Sequence, residues 1–213
     1  MIGANGSIGQ RLGKILTDCG EEVLGFICKK GQAEKLESLG VASKLADIID
    51  TPVEECISAF DGLNAIVFSA GGAGVEYTEK IDGDGVSKMI EAAKGAGVER
   101  FILVSAFPDA WRDKDMPDSF EFYMKMKRKA DVALVNSGLD WTIVRPGTLT
   151  DEAGTGQVTI GPAIEYGDVS RENVAAVIAE LLGQDEILQL IIELTDGNIP
   201  VKNAVEGQRR PFK

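Results

Sequence analysis

The sequence predicts an α/β fold: a doubly wound parallel sheet in three layers, α/β/α. Three observations carry the prediction. Short, continuous apolar runs alternate with stretches of helical periodicity along the whole chain, the pattern of parallel strands covered on both faces. The runs end in small or polar residues, as strands do where a sheet opens onto a ligand crevice. The chain also begins with the apolar stub Met1-Ile2 and then Gly3-Ala4-Asn5-Gly6-Ser7-Ile8-Gly9, three glycines at a spacing of three. Ile8, Leu12, Ile15 and Leu16 follow on one helical face, so this opening reads as strand, tight turn and helix.

Each further element follows from local pattern. The first helix covers about 7–19 and stops at Gly20. The run at 23–27 is a buried strand, followed by Cys28-Lys29-Lys30-Gly31, a helix over about 32–39 and a weak strand at 41–45. A helix at Val53–Phe60 has Pro52 suited to its first turn. Ala65–Phe68 is a strand ending in Ser69-Ala70-Gly71-Gly72-Ala73-Gly74. A long helix over about 78–94 stops at Gly95-Ala96-Gly97, and a strand at 101–104 closes on Ser105. The polar loop 106–118 leads to a helix over about 119–136, a strand at 141–144 and then Arg145-Pro146-Gly147. Short strands at 158–160 and 188–194 flank a helix that Ser170 caps and that runs to about residue 182. A short helix, Val201–Glu206, precedes a loose tail at 207–213. There is no internal repeat and no low-complexity segment, so 1–213 reads as a single domain with about six or seven strands.

Composition narrows the function classes. The net charge is −12 and the pI about 4.5, which argues against nucleic acid and anionic membrane as partners and leaves a small-molecule substrate. The absence of histidine removes a Ser-His-Asp triad and His-based metal sites. Cys19, Cys28 and Cys56 match neither a metal site nor a redox pair, so no metal is expected. With no signal peptide pattern and no long apolar run, the sequence places the protein in the cytoplasm. Only two residues precede the first glycine, so the first strand is very short or the chain starts upstream. No motif specifies an oligomeric state.

Ligands bind outside the carboxyl ends of strands in such a sheet, so the residues after each strand carry the chemistry. In the first turn, one glycine permits the bend, one lets the backbone approach a pyrophosphate and one lets the helix pack closely. The helix N-terminus at Ser7, Ile8 and Gly9, with Asn5 in the turn, would receive the phosphates. After the second strand a dinucleotide fold specific for NAD would place a carboxylate. Cys28, Lys29 and Lys30 stand there instead, which favours NADP, with NAD as the alternative; a solvated lysine pair is the plainer explanation. Asp47 and Ile48 suit an adenine edge and face, although Asp47 equally suits a helix start. Ser69, Ala70 and Gly71 bring bare backbone to the position of a cofactor ribose.

Tyr123 and Lys127 lie four apart, on one helix face, eighteen residues after Ser105. A lysine beside a tyrosine lowers the phenol pKa, and a phenol so tuned can exchange a proton with a carbonyl oxygen that Ser105 also contacts. Phe120-Glu121-Phe122-Tyr123 could instead form an aromatic packing face, and Lys125, Lys127, Arg128 and Lys129 a solvated basic face.

The chain resembles the short-chain dehydrogenase/reductase superfamily, in particular its atypical NmrA-like and flavin-reductase-like NAD(P)-binding members. The resemblance runs through residues 2–9, 101–105, 123–131, 141–149 and 169–182. It implies a Rossmann fold, NADP or NAD as cofactor, Pro146 and Gly147 beside the nicotinamide, and Ser105, Tyr123 and Lys127 in the superfamily's catalytic positions. Oxidoreductase activity on a small carbonyl, quinone or similar compound is the expectation. A non-catalytic NADP sensor is the alternative, because some members of this branch have lost or idle tyrosine and lysine. The large C-terminal domain of nucleotide-sugar epimerases has no counterpart here, which argues against that activity.

Overall fold

A computed structural model describes residues 1–72 and 74–209. Ala73 and the tail residues 210–213, assigned above to a glycine-rich loop and a loose terminus, lie outside the described residues. The chain runs α1 (Ser7–Asp18), β1 (Leu24–Ile27), α2 (Ala33–Glu37), β2 (Ala42–Leu45), α3 (Val53–Phe60), β3 (Ala65–Phe68), α4 (Val75–Thr78), α5 (Asp84–Ala96) and β4 (Arg100–Val104). It continues through α6 (Asp118–Val135), β5 (Asp140–Pro146), β6 (Thr148–Thr150), β7 (Gln157–Gly161), β8 (Asp168–Ser170), α7 (Arg171–Leu182), β9 (Leu190–Asp196), β10 (Ile199–Pro200) and α8 (Val201–Glu206).

The two-residue stub is a true sheet element. Ile2 N–H donates to Val67 O at 2.8 Å and Ser69 N–H to Ile2 O at 2.9 Å, while Phe26 N–H donates to Met1 O at 2.9 Å. Met1-Ile2 therefore joins β1 to β3, and the order across the molecule is β2, β1, stub, β3, β4, β5, β9, β7, β10. This is the doubly wound Rossmann arrangement, with the strand order reversing at the stub.

Strand residues alternate between two cores, which is why the runs are continuously apolar. Phe101 and Leu103 enter one core with Phe60, Met89 and Leu134; Ile102 and Val104 enter the other with Leu12, Val174 and Ile178. α1 and α7 pack together on that second face, and α3, α5 and α6 cover the first.

Three features differ from the sequence reading. The sheet is not wholly parallel, because β7 pairs antiparallel with β9 and β10 antiparallel with β7. The long helix starts earlier, at Val75, and passes through a π-helical turn at Glu79–Gly83 before α5. Such bulges lie inside otherwise α-helical periodicity and leave little trace in it. Two short strands not expected from the sequence, β6 and β8, pair with each other in parallel. No described helix is long and apolar enough to cross a membrane.

Candidate functional site: a glycine turn, a buried ion pair and an aromatic cavity

The turn between the stub and α1 is built from backbone. Gly3 has φ +85°, and a Cβ there would lie 2.5 Å from Ala70 N. A Cβ on Gly9 would lie 2.3 Å from Gly3 O, so α1 presses directly on the turn. Gly6 and Ser7 are exposed at its tip, whereas the side chains of Ile8 and Leu12 are buried; Ile8 can offer a ligand only its amide. α1 has no side-chain cap and no acidic residue in its first turn, which leaves its orphan N–H groups open to an anion. Gln10 Nε2 donates to Asn5 O at 2.6 Å and fixes the carbonyl that precedes the tip.

Past β1, Gln32 Oε1 accepts from Cys28 N–H at 3.1 Å and Lys29 N–H at 3.3 Å. This holds the loop with Lys29 and Lys30 exposed. Asp47 Oδ1 accepts from Ile49 N–H at 2.7 Å, a turn rather than a helix start. Ile48 packs against the first core, so it has a structural task whatever else it touches.

Ser69 to Gly72 lead from β3 over the glycine turn, and here a residue the sequence reading missed becomes prominent. Asp82, in the π-helical turn, is fully buried. Its Oδ2 accepts from Gly72 N–H at 2.8 Å. Its Oδ1 lies 2.8 Å from Lys127 Nζ, off the line of a good hydrogen bond but within ion-pair distance. Lys127 is itself 6 % exposed, and its ammonium also donates to Val104 O at 3.3 Å. Burial works against this charge, but Tyr123, Asp82 and Asp131 outweigh it and raise the Lys127 pKa above the usual lysine value. The lysine expected to tune Tyr123 is thus gripped by a carboxylate from another helical segment. An Asp inside an amphipathic helix carries no sequence signal of burial; only its position opposite a buried lysine could have marked it.

Tyr123 is half-buried, with Lys127 Nζ 5.6 Å from its ring centroid. The chain supplies its hydroxyl with no hydrogen-bond partner among the described residues. Ser105 N–H donates to Val144 O at 2.7 Å, pinning the end of β4 to β5, while Ser105 Oγ is buried without a partner. Ser105, Tyr123, Pro146 and Gly147 all line one cavity of about 270 Å³. Gly147 is required there, since a Cβ would lie 1.9 Å from Gly167 O.

The rest of the cavity is aromatic. Trp111, Phe120 and Tyr123 form a chain, with ring centroids 5.4 Å and 6.2 Å apart. Phe107 meets Tyr166 edge-on at 5.3 Å, and the Tyr166 hydroxyl pairs with Thr148 Oγ1. Trp111 sits at φ +54°, an unusual conformation for a bulky residue. The structure therefore brings Ser105, Tyr123, Pro146 and Gly147 together, with Lys127 behind Tyr123. It gathers Gly3 to Gly9 and Ser69 to Gly71 at the glycine turn, and leaves Lys29 and Lys30 on the surface.

Comparison with known proteins shows the family and the fold. The pattern of a family described as NAD(P)H-binding matches residues 3–185. A Bacillus subtilis protein called uncharacterized sugar epimerase YhfK is 37 % identical over 210 residues, covering 97 % of each chain. The solved structure of the oxidoreductase ylbE from Lactococcus lactis superposes with a TM-score of 0.87 at 28 % identity, over 100 % of this chain and 98 % of that one. ChuY of Escherichia coli O157:H7, an anaerobillin reductase, superposes with a TM-score of 0.79 at 27 % identity, over 93 % and 96 %. With a glycine turn pressed between the stub and an uncapped helix, and a family pattern spanning most of its length, this chain belongs to the NAD(P)H-binding family.

Proposed function

We propose that this chain is an NADPH-dependent reductase of a small conjugated carbonyl compound or quinone. The observation that carries the reading is the shared cavity: a buried, unpartnered Ser105 Oγ and the Tyr123 ring line one aromatic chamber beside Pro146 and Gly147. The residues fit a dinucleotide. The turn from Gly3 to Gly9 leaves no room for a Cβ at Gly3 or Gly9 and presents uncapped amides to a pyrophosphate. Lys29 and Lys30 would pair with a 2′-phosphate, and Ser69, Ala70 and Gly71 offer bare backbone to a ribose. The cofactor, when bound, supplies a hydride to the substrate carbon.

The chain's own part is the proton. Ser105 Oγ–H orients the substrate oxygen, and Tyr123 gives it the proton that completes the alcohol or, for a quinone, the hydroxydienone that tautomerises to the hydroquinone. Lys127 keeps a fixed positive charge below the phenol and stabilises negative charge left there. Asp82 is a positioning residue: it holds that ammonium, and through Gly72 N–H it ties it to the loop after β3. The name of the ChuY relative, a reductase, supports the same class of reaction.

Tyr123→Phe tests the reading. With menadione as acceptor and NADPH consumption as readout, turnover is expected to fall about 10²- to 10⁴-fold with NADPH binding retained. An unchanged rate would remove the proton-donor role. One observation favours the sensor alternative: Lys127 is held by Asp82 instead of standing free. A sensor binds NADPH and consumes none with any acceptor. An epimerase, the name of the Bacillus subtilis relative, consumes none on balance and returns a stereoisomer.

A further inference from the structure

A second cavity, of about 260 Å³, lies next to the aromatic one and shares Ala106 and Met124 with it. Its character is opposite. Arg112, Lys125, Arg128 and Arg145 line it, in a chain whose net charge is −12. Part of that charge is already engaged. Arg112 Nη1 donates to Glu121 Oε1 at 2.6 Å, and Arg145 donates to Asp131 Oδ2 from Nε at 3.1 Å and Nη2 at 2.8 Å. Lys125 and Arg128 are exposed and have no acidic partner among the described residues. They stand three apart on α6 and so project to the same side. Asp131 Oδ1 is buried without a hydrogen-bond partner, and with the Arg145 guanidinium on Oδ2 its charge is compensated; it is an acceptor waiting for a donor.

Resting on the reductase reading, we infer that this cavity is the anion subsite of the same substrate. The conjugated ring occupies the aromatic cavity. A carboxylate or phosphate arm passes Met124 to Lys125 and Arg128, and a hydroxyl or N–H beside the anion satisfies Asp131 Oδ1. Two unpaired cations within a net-acidic surface select an anion by long-range attraction and hold it by charge-assisted hydrogen bonds. The two cavities adjoin at Ala106 and Met124, where the arm would cross from one to the other.

The test uses three quinones with one naphthoquinone ring: neutral, with a carboxylate side chain and with a phosphate side chain. Each is titrated into the full chain without cofactor, following quenching of the tryptophan fluorescence, to which Trp111 in the cavity wall and Trp141 in the core both contribute. At least one charged quinone is expected to bind about tenfold tighter than the neutral one, and the tighter of the two names the arm. The combined variant Lys125→Glu/Arg128→Glu is expected to erase the preference. The milder Lys125→Ala/Arg128→Ala, with its melting temperature checked, gives the same answer should charge reversal unfold the helix. The preference should also fall as salt rises. Equal binding of all three quinones, or a preference that both variants retain, overturns the subsite and leaves the reductase reading standing. If no quinone quenches the tryptophan fluorescence and none drives NADPH consumption, the reductase reading fails, and the subsite with it.

Discussion

The glycine turn and the Tyr123 region are held together by different forces. At the turn, backbone touches backbone: the nearest atoms to a Cβ on Gly3 or Gly9 belong to the main chain of Ser69, Ala70, Gly3 and Ala4. Around Tyr123, side-chain charge does the holding, and Asp82 and Lys127 come from separate helices to meet in a buried pair. The first region rejects added volume. The second rejects an unpaired charge. Predictions can therefore be ranked by which kind of contact is broken.

The largest effect is expected from Asp82→Ala. It leaves the Lys127 ammonium buried beside Val104 O and the Tyr123 ring, with Asp131, already paired with Arg145, as the remaining carboxylate that acts on it. Breaking one side of a buried pair costs about 3–5 kcal/mol, read from urea or thermal unfolding. Adding Lys127→Met should recover much of that loss, because the apolar replacement needs no counter-charge. The pH dependence follows from the sign of the lysine shift. The folded pKa of Lys127 lies above its ordinary value, so its contribution is fully present below the unfolded pKa and disappears as pH rises through the folded one. The stability difference between the parent and Lys127→Met should stay flat from about pH 7 to about pH 10 and change only in more alkaline solution. A difference that varied steeply near neutrality would mean that the ammonium is not held as the geometry indicates.

The same contrast explains what could be read from the sequence. The glycine turn was legible because its determinants are local: three glycines, a stub and a helix pattern within sixteen residues. The strands were legible because burial on both faces leaves continuous apolar runs, although nothing in the run at β7 showed that it would pair antiparallel. Ser105, Tyr123, Pro146 and Gly147 were legible as strand-end and helix-face residues, and the structure gathers them around one cavity. Asp82 was not legible. It stands 45 positions before Lys127, and it is one acid among 34 in an acidic chain. The unpaired pair Lys125 and Arg128 was hidden for the same reason, since only the fold tells which cations already have partners.

A smaller effect, and the converse test, comes from Gly9→Ala. The new methyl would sit 2.3 Å from Gly3 O and 2.8 Å from the Ala4 backbone, atoms that cannot rotate away. Overpacking of this kind costs about 1–3 kcal/mol, and the displaced helix should also lose affinity for NADPH. Gly20→Ala is the comparison that isolates volume from conformation. Gly20 has φ +88° but open space around its Cβ position, so it should cost about 1–2 kcal/mol of strain and leave cofactor binding intact. Equal loss of binding in both variants would contradict a turn shaped by close backbone contact.

The smallest effect belongs to the surface. Lys29 and Lys30 are exposed, with Gln32 holding the loop beneath them by the amides of Cys28 and Lys29. Their attraction for a 2′-phosphate is screened by solvent, so replacing both by alanine should weaken NADPH binding only about five- to tenfold. NADH binding should not change, because NADH carries no group for them to meet. The ratio of the two dissociation constants is the informative quantity, measured at low salt and again at high salt. A ratio that collapses in the variant and shrinks with salt in the parent assigns the selectivity to these charges. Equal weakening of both cofactors would instead indicate that the substitutions disturbed the Gln32-braced loop, and the choice of cofactor would have to be sought elsewhere along the ribose.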